Sequence, residues 1–248
     1  MNKSLKLLLG VSAAASAGIL ACAGVLSCAV KNLPEGFTVT AHTGCENTED
    51  NSLEAISAGV SAGADIVEFD LRFDAQGNGI LAHDEGKTDS VTLDEALKLV
   101  SGYQGIKVNV DCKTTDNLKE VYAIGEKYGI TDRLFYTGIE EDKVESVKNQ
   151  TPEIAYFLNY APKAMKKNDE QYIKELIALI KEKGAVGLNV RHTNCSKKMV
   201  EMLHAEGLMV SVWTANDVFT MARCISLLPD NITTRHPSVI LKIINSLK

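Results

Sequence analysis

The chain has 248 residues, 45% hydrophobic and 23% charged, with a formal net charge of −6 at pH 7. That length can bury a substantial core as one domain. The acidic balance, with no basic run or arginine-rich stripe to offset it, excludes nucleic acid as the expected partner, and nothing in the composition indicates a protein partner.

Residues 7–30, LLLGVSAAASAGILACAGVLSCAV, carry no charge and follow Lys3 and Lys6. About 20 apolar residues suffice to span a bilayer, and the basic flank is that of an anchor or a signal sequence. The segment 1–33 is therefore read as a hydrophobic N-terminal helix, either a membrane anchor or a leader. Cys22 after Ile19-Leu20-Ala21, or Cys28 after Val25-Leu26-Ser27, resembles the lipid-modified cysteine of bacterial lipoproteins. With the positive flank held inside, the remainder is expected to be extracytoplasmic, anchored to the membrane or secreted.

From residue 37 onward, β-branched runs alternate with amphipathic helical patterns, the signature of parallel βα units. Strands are predicted near 37–41, 66–71, 79–83, 106–111, 133–137, 154–158, 185–190, 209–214 and 231–234. Between them, Asn51 or Ser52 is expected to cap a helix closed by Gly63, and Thr92 to Glu95 forms a capping box. Further caps are expected at Asp116, Asn168, Ser196 and Asn216 or Asp217, with stops at Gly129, Gly184 and Gly207 and Pro237 in the first turn of the last helix. The reading is an α/β fold, a (β/α)8 TIM-type barrel over 34–248, somewhat irregular. Nine strand candidates compete for eight places, and the gap from Leu71 to Gly79 is too short for a crossover helix, so the second and third form a hairpin-like excursion or one strand is peripheral.

Within the second run, Val67, Phe69, Leu71 and Phe73 share one face and Glu68, Asp70 and Arg72 the other. Val108, Val110 and Cys112 oppose Asn109, Asp111 and Lys113 in the same way. A barrel clad by helices wants this split, and in such barrels chemistry lies at the C-terminal strand ends, where His42, Asp70, His83, Asp111, Lys113, Trp213 and Arg235 all fall. Glu68, Asp70 and Asp111 supply three hard carboxylate oxygens, which suit one divalent cation, Ca²⁺ or Mg²⁺, and not zinc. The scattered Cys45, Cys112, Cys195 and Cys224 show no metal spacing; Cys112 reads as packing, and a bridge between Cys45 and Cys195 stays open. His204 is expected on the surface, His192 and His236 could line the rim, and the lysine-rich stretch KAMKKNDEQYIKE reads as a solvated face.

The order HTG at 42–44, DNSLEAI at 50–56, EFD at 68–70, HD at 83–84, DCK at 111–113, WTAN at 213–216 and TTRHP at 233–237 resembles the glycerophosphodiester phosphodiesterases over nearly everything after Pro34. The resemblance implies metal-dependent hydrolysis of a glycerophosphodiester to glycerol 3-phosphate and an alcohol. His42 and His83 would be the catalytic acid and base, Glu68, Asp70 and Asp111 the metal ligands, and Lys113, Arg235 and Trp213 the phosphate and substrate contacts. The family's arginine after the first histidine is Thr43 here, and the aspartate of its closing motif is Arg235, which suggests that the guanidinium has moved from the first strand to the last. Asp50 and Asp111 stand where the family has Glu. The Asp-x-Lys form also resembles the spider-venom-type phospholipases D, so a lysophospholipid or sphingolipid phosphodiesterase is an alternative, as is a catalytically impaired, membrane-tethered binding barrel.

Overall fold

The computed structural model describes residues 24–87 and 90–248. Its strands are β1 (Thr38–Ala41), β2 (Ile66–Phe73), β3 (Gly79–Leu81), β4 (Lys107–Cys112), β5 (Leu134–Ile139), β6 (Tyr156–Asn159), β7 (Gly187–Arg191), β8 (Met209–Trp213) and β9 (Asn231–Thr234). The sheet order is β1-β9-β8-β7-β6-β5-β4-β2-β3, and β1 also pairs in parallel with β2, so eight parallel strands close a TIM-type barrel. The ninth candidate, β3, stays outside the ring. It runs antiparallel along the overhanging end of β2, with Leu71 opposite Leu81 and Phe73 opposite Gly79. Asp74 makes this turn tight by accepting from the backbone N–H groups of Gln76 and Asn78 at 2.9 and 2.8 Å.

Among the described residues, eight helices clad the ring: α1 (Leu53–Ser61), α2 (Leu93–Ser101), α3 (Leu118–Tyr128), α4 (Val144–Gln150), α5 (Glu170–Lys183), α6 (Lys197–Ala205), α7 (Val218–Leu227) and α8 (Pro237–Leu247). Ser52, Thr92, Ser196 and Asp217 cap as the sequence predicts, each side chain accepting from a first-turn N–H. Asp169 caps α5 in place of Asn168, and α3 begins after Asn117, not Asp116, with no side-chain cap. Gly129 and Gly184 end their helices in the left-handed conformation.

Alternation sets what each strand face does. Val67, Phe69, Leu71, Val108, Val110, Cys112, Tyr136 and Val190 are at most 1% exposed against the helices. The inward face is polar instead of the branched aliphatics that usually fill such a barrel. Thr40, Asn109, Thr137, Ser211, Asn231 and Thr233 are all buried there. They satisfy one another: Asn231 Nδ2 donates to Thr40 Oγ1 at 2.7 Å, Ser211 Oγ donates to Asn231 Oδ1 at 3.1 Å, and Thr137 Oγ1 lies 2.8 Å from Asn109 Oδ1. Buried polar groups paired in this way avoid a desolvation penalty of about 1–3 kcal/mol each. They leave the barrel axis as a polar pedestal beneath the C-terminal mouth.

The expected leader or anchor at 1–33 falls mainly on residues 1–23, which lie outside those described. Residues 24–31 are helical; Val30 enters the barrel core, Leu26 and Leu33 pack against it, and Ser27 Oγ donates to Leu247 O at 3.2 Å. Among the described residues no helix is long and apolar enough to cross a membrane. Cys45 and Cys195 are buried free thiols in separate settings, Cys45 donating to Ala55 O and Cys195 to Ser196 O, so the bridge left open between them is not formed. His204 is partly exposed, and its Nε2 lies 2.8 Å from Asp230 Oδ2, at the foot of the barrel.

Candidate active site

Three acids converge where β2 and β4 lie side by side. Register places Asp70 opposite Asp111, and Glu68 one inward position below. One oxygen from each of Glu68, Asp70 and Asp111 falls within 4.8 Å of the others. Each carboxylate is oriented by a neighbour: Glu68 Oε2 accepts from Thr43 N at 2.8 Å, Asp70 Oδ2 from Asn51 Nδ2 at 2.8 Å and Asp111 Oδ1 from Thr137 Oγ1 at 2.9 Å. Burial lifts the Glu68 carboxyl to about 7, and the adjacent Asp70 and Asp111 add to the rise against the opposing pull of His42 and the Thr43 N–H. Lys113 Nζ stands 2.8 Å from Asp70 Oδ1 and also bonds Asp111. Burial pulls its pKa down, but Asp111 and Asp70 outweigh that and hold it above the ordinary lysine value.

This donor set fits a divalent cation. Three carboxylates against one ammonium leave two formal negative charges, the oxygens are hard, and their protein partners already fix them in place.

Loops after β1 and β3 bring the imidazoles. His42 follows β1 directly; its Nδ1 lies 2.9 Å from Thr43 O and 3.9 Å from Glu68 Oε2, which leaves Nε2 free. His83 arrives at the end of the hairpin-like excursion that the short gap from Leu71 to Gly79 suggests. Because β3 runs back down β2, Ala82 N donates to Asp70 O at 3.0 Å, and the return leg lowers His83 to the level of the acids. Its Nδ1 pairs with Asp84 Oδ1 at 2.8 Å. Both imidazoles, the three acids, Lys113, Trp213 and Arg235 line one cleft of about 680 Å³ at the C-terminal mouth. His192 and His236, expected as possible rim residues, line neither this cleft nor the cavity beside it.

Arg235 reaches across the closure of the barrel. The two guanidinium ends donate to Asp50 Oδ1 and Oδ2 at 2.7 and 3.0 Å, and a Cβ on Gly44 would lie 2.6 Å from Arg235 Nη1. The guanidinium of the last strand end thus occupies the loop that follows His42. Asp50 pairs with this guanidinium and offsets its positive charge. Two of its five N–H groups are used in this fork and three remain. Trp213 is 37% exposed at the end of β8, lining the cleft instead of packing in the core.

Other participants were less visible in the sequence. Asn51, one of two expected caps, instead adopts φ 60° and exchanges hydrogen bonds with Asp70, accepting from Asp70 N at 2.9 Å. Lys143 donates to Cys112 O and Gly138 O at 2.9 and 2.8 Å, at the cleft wall. Gly138 has φ 71°, and a Cβ there would lie 2.7 Å from Asp111 Oδ1 and 2.6 Å from Cys112 O. Gly138→Ala should therefore push Asp111 aside and weaken Ca²⁺ or Mg²⁺ binding by about tenfold or more in calorimetry, with about 1–3 kcal/mol of backbone strain besides.

Residues 96–239 match the model of the Glycerophosphoryl diester phosphodiesterase family, a span that takes in Asp111, Lys113, Trp213 and Arg235. Among curated proteins, a glycerophosphodiester phosphodiesterase of Caldanaerobacter subterraneus is 25% identical over 83% of this chain and 97% of its own. Among solved structures, an Oleispira antarctica phosphodiesterase in complex with the product sn-glycerol-3-phosphate superposes with a TM-score of 0.70 at 19% identity, covering 88% of this chain and 99% of that one. A glycerophosphodiester phosphodiesterase of Parabacteroides distasonis gives 0.66 at 19% identity over 84% and 97%. The fold is shared with these structures, and the family match covers more than half of the chain. The chain belongs to the glycerophosphoryl diester phosphodiesterase family of hydrolases.

Proposed function

We propose that this protein hydrolyses glycerophosphodiesters to glycerol 3-phosphate and an alcohol, using His42 and His83 for proton transfer and a divalent cation on Glu68, Asp70 and Asp111. The observation that supports this most is the meeting of both imidazoles and all three acids in one cleft, although they come from four separate strand ends. The product named for the Oleispira antarctica protein is the one this chemistry would release. When bound, the cation, Ca²⁺ or Mg²⁺, supplies Lewis acidity toward a phosphoryl oxygen.

The chain's own groups do the rest. Phosphodiester cleavage takes one proton from the attacking oxygen and gives one to the leaving alkoxide, a division of labour that suits two imidazoles near neutral pH. With Nδ1 of His42 engaged by Thr43 O and Nδ1 of His83 by Asp84, both rings offer Nε2. Asp84 is placed to stabilise the charge His83 carries after taking a proton. Lys113 and the free N–H groups of Arg235 face the negative charge of the ester. The uncharged run at 7–30 behind Lys3 and Lys6 supports an extracytoplasmic barrel, held at the membrane or released from it.

Release of glycerol 3-phosphate from glycerophosphocholine, followed by coupled oxidation of the product with Ca²⁺ or Mg²⁺ present, tests this reading. Cation binding in calorimetry with no release from that ester or from a lysophospholipid would identify a binding barrel instead. Turnover of lysophosphatidylcholine alone would favour the lipid phosphodiesterase suggested by the Asp111-Cys112-Lys113 motif. Arg235→Ala should lower kcat/KM by about 10- to 100-fold, the loss of a charge-assisted contact, while leaving cation affinity within about twofold. An unchanged kcat/KM would show that the guanidinium serves only Asp50.

A further inference from the structure

Arg72 follows Glu68 and Asp70 on the inward face of β2, because strand alternation brings every second side chain to the same side, and it lines the cleft with them. The chemistry above uses both acids but not this guanidinium. Its contacts lead to His83.

The hairpin that carries His83 is gripped at its far end by α3 and the residue before it. Asn117 Nδ2 donates to Gly77 O at 2.9 Å, and Glu120 Oε2 accepts from Gly79 N at 2.6 Å. Pairing then runs back along β2 as far as the bond from Ala82 N to Asp70 O, and beyond Ala82 the chain leaves the sheet. Among the described residues, the backbone of residues 83–87 forms a single hydrogen bond with the rest of the protein: Arg72 Nε donates to His83 O at 2.9 Å. The same guanidinium stands 3.5 Å from Glu85 through Nη1. The His83 side chain is 66% exposed, so packing does little to fix it. An ion pair to a carboxylate as exposed as Glu85 contributes little in water. The directional Nε bond is the stronger tie.

We propose that Arg72 is a positioning residue for His83: its Nε–H holds the His83 carbonyl against the strand that carries Asp70, and so sets how far the imidazole stands from the acids. The inference rests on the reading of His83 as a proton-transfer group. Arg72 acts here through its donor and not through its charge.

Arg72→Gln and Arg72→Lys separate the two. Glutamine carries its amide nitrogen on the same carbon as the arginine Nε, which keeps the donor without the charge, whereas lysine keeps the charge and puts a methylene at that place. With glycerophosphocholine and Ca²⁺ or Mg²⁺, kcat should fall about 100-fold in Arg72→Lys, the scale of a reacting group displaced by about 1 Å, and stay within about fivefold in Arg72→Gln, with KM within about twofold in both. In a His83→Ala background, Arg72→Lys should cost less than about twofold more, since the group it places is already gone. A second readout needs neither cation nor substrate. The ring proton resonances of His83, identified by their loss in His83→Ala, should keep their natural shifts in Arg72→Gln and move in Arg72→Lys.

Turnover kept by Arg72→Lys and lost by Arg72→Gln, or an equal loss in Arg72→Lys with and without His83, would overturn the proposal while leaving the phosphodiesterase reading intact. Should the natural protein release nothing from the ester, that reading fails and the ring resonances still decide. Displacement in Arg72→Lys alone then upholds the positioning role, and equal spectra from the two variants overturn it.

Discussion

His42→Ala is expected to lower kcat on a glycerophosphodiester by about 10³-fold, within the range general acid–base catalysis contributes, and to leave divalent-cation affinity nearly unchanged. The imidazole is about a quarter exposed and held at Nδ1 by a backbone carbonyl, so its removal opens no core cavity. The Thr43 N–H that orients Glu68 belongs to the next residue's backbone and stays in place. Circular dichroism and melting should therefore match the natural protein. Partial rescue by added imidazole would mark the missing group as a proton carrier. A kcat within threefold of the natural value would remove His42 from the chemistry.

Asp70→Asn should be at least as damaging, and in the other quantity. Asp70 is 3% exposed, accepts from Asn51 through Oδ2 and holds Lys113 through Oδ1. The amide preserves volume but removes one of the three charges that would bind the cation and leaves Lys113 with Asp111 alone. A missing charged ligand in a site of this kind forfeits several kcal/mol, so Ca²⁺ or Mg²⁺ affinity should fall by about 100-fold or more, with turnover lost at ordinary cation concentrations. Chelation of the natural protein should reproduce the loss, and readdition of the ion should reverse it. Full turnover in chelator would mean that Lys113 and Arg235 alone carry the phosphate charge.

Much of this site was legible in the sequence because strand periodicity is strict. Once Val67, Phe69 and Leu71 are assigned to the helix-facing side, Glu68 and Asp70 have no other place than the axis, and the same holds for Asp111 beside Val110 and Cys112. Parallel pairing then aligns β2 with β4 and brings the acids level. The short gap from Leu71 to Gly79 likewise pointed to a hairpin-like excursion or a peripheral strand, and β3 is both. Less legible were the contacts that depend on backbone path and not on alternation. Asn51 looks like a helix cap in sequence, yet its left-handed backbone turns the side chain onto Asp70. Arg235 carries no sign that Asp50, far away along the chain, would take both ends of its guanidinium.

Phosphorus-31 spectra of the full chain incubated with glycerophosphocholine at neutral pH put the central claim to its most direct trial. The diester resonance should give way to that of glycerol 3-phosphate, directly or through a cyclic phosphate, when Ca²⁺ or Mg²⁺ is present, and should persist in chelator. A diester signal that survives with both cations, or a product spectrum showing phosphocholine, would contradict the account.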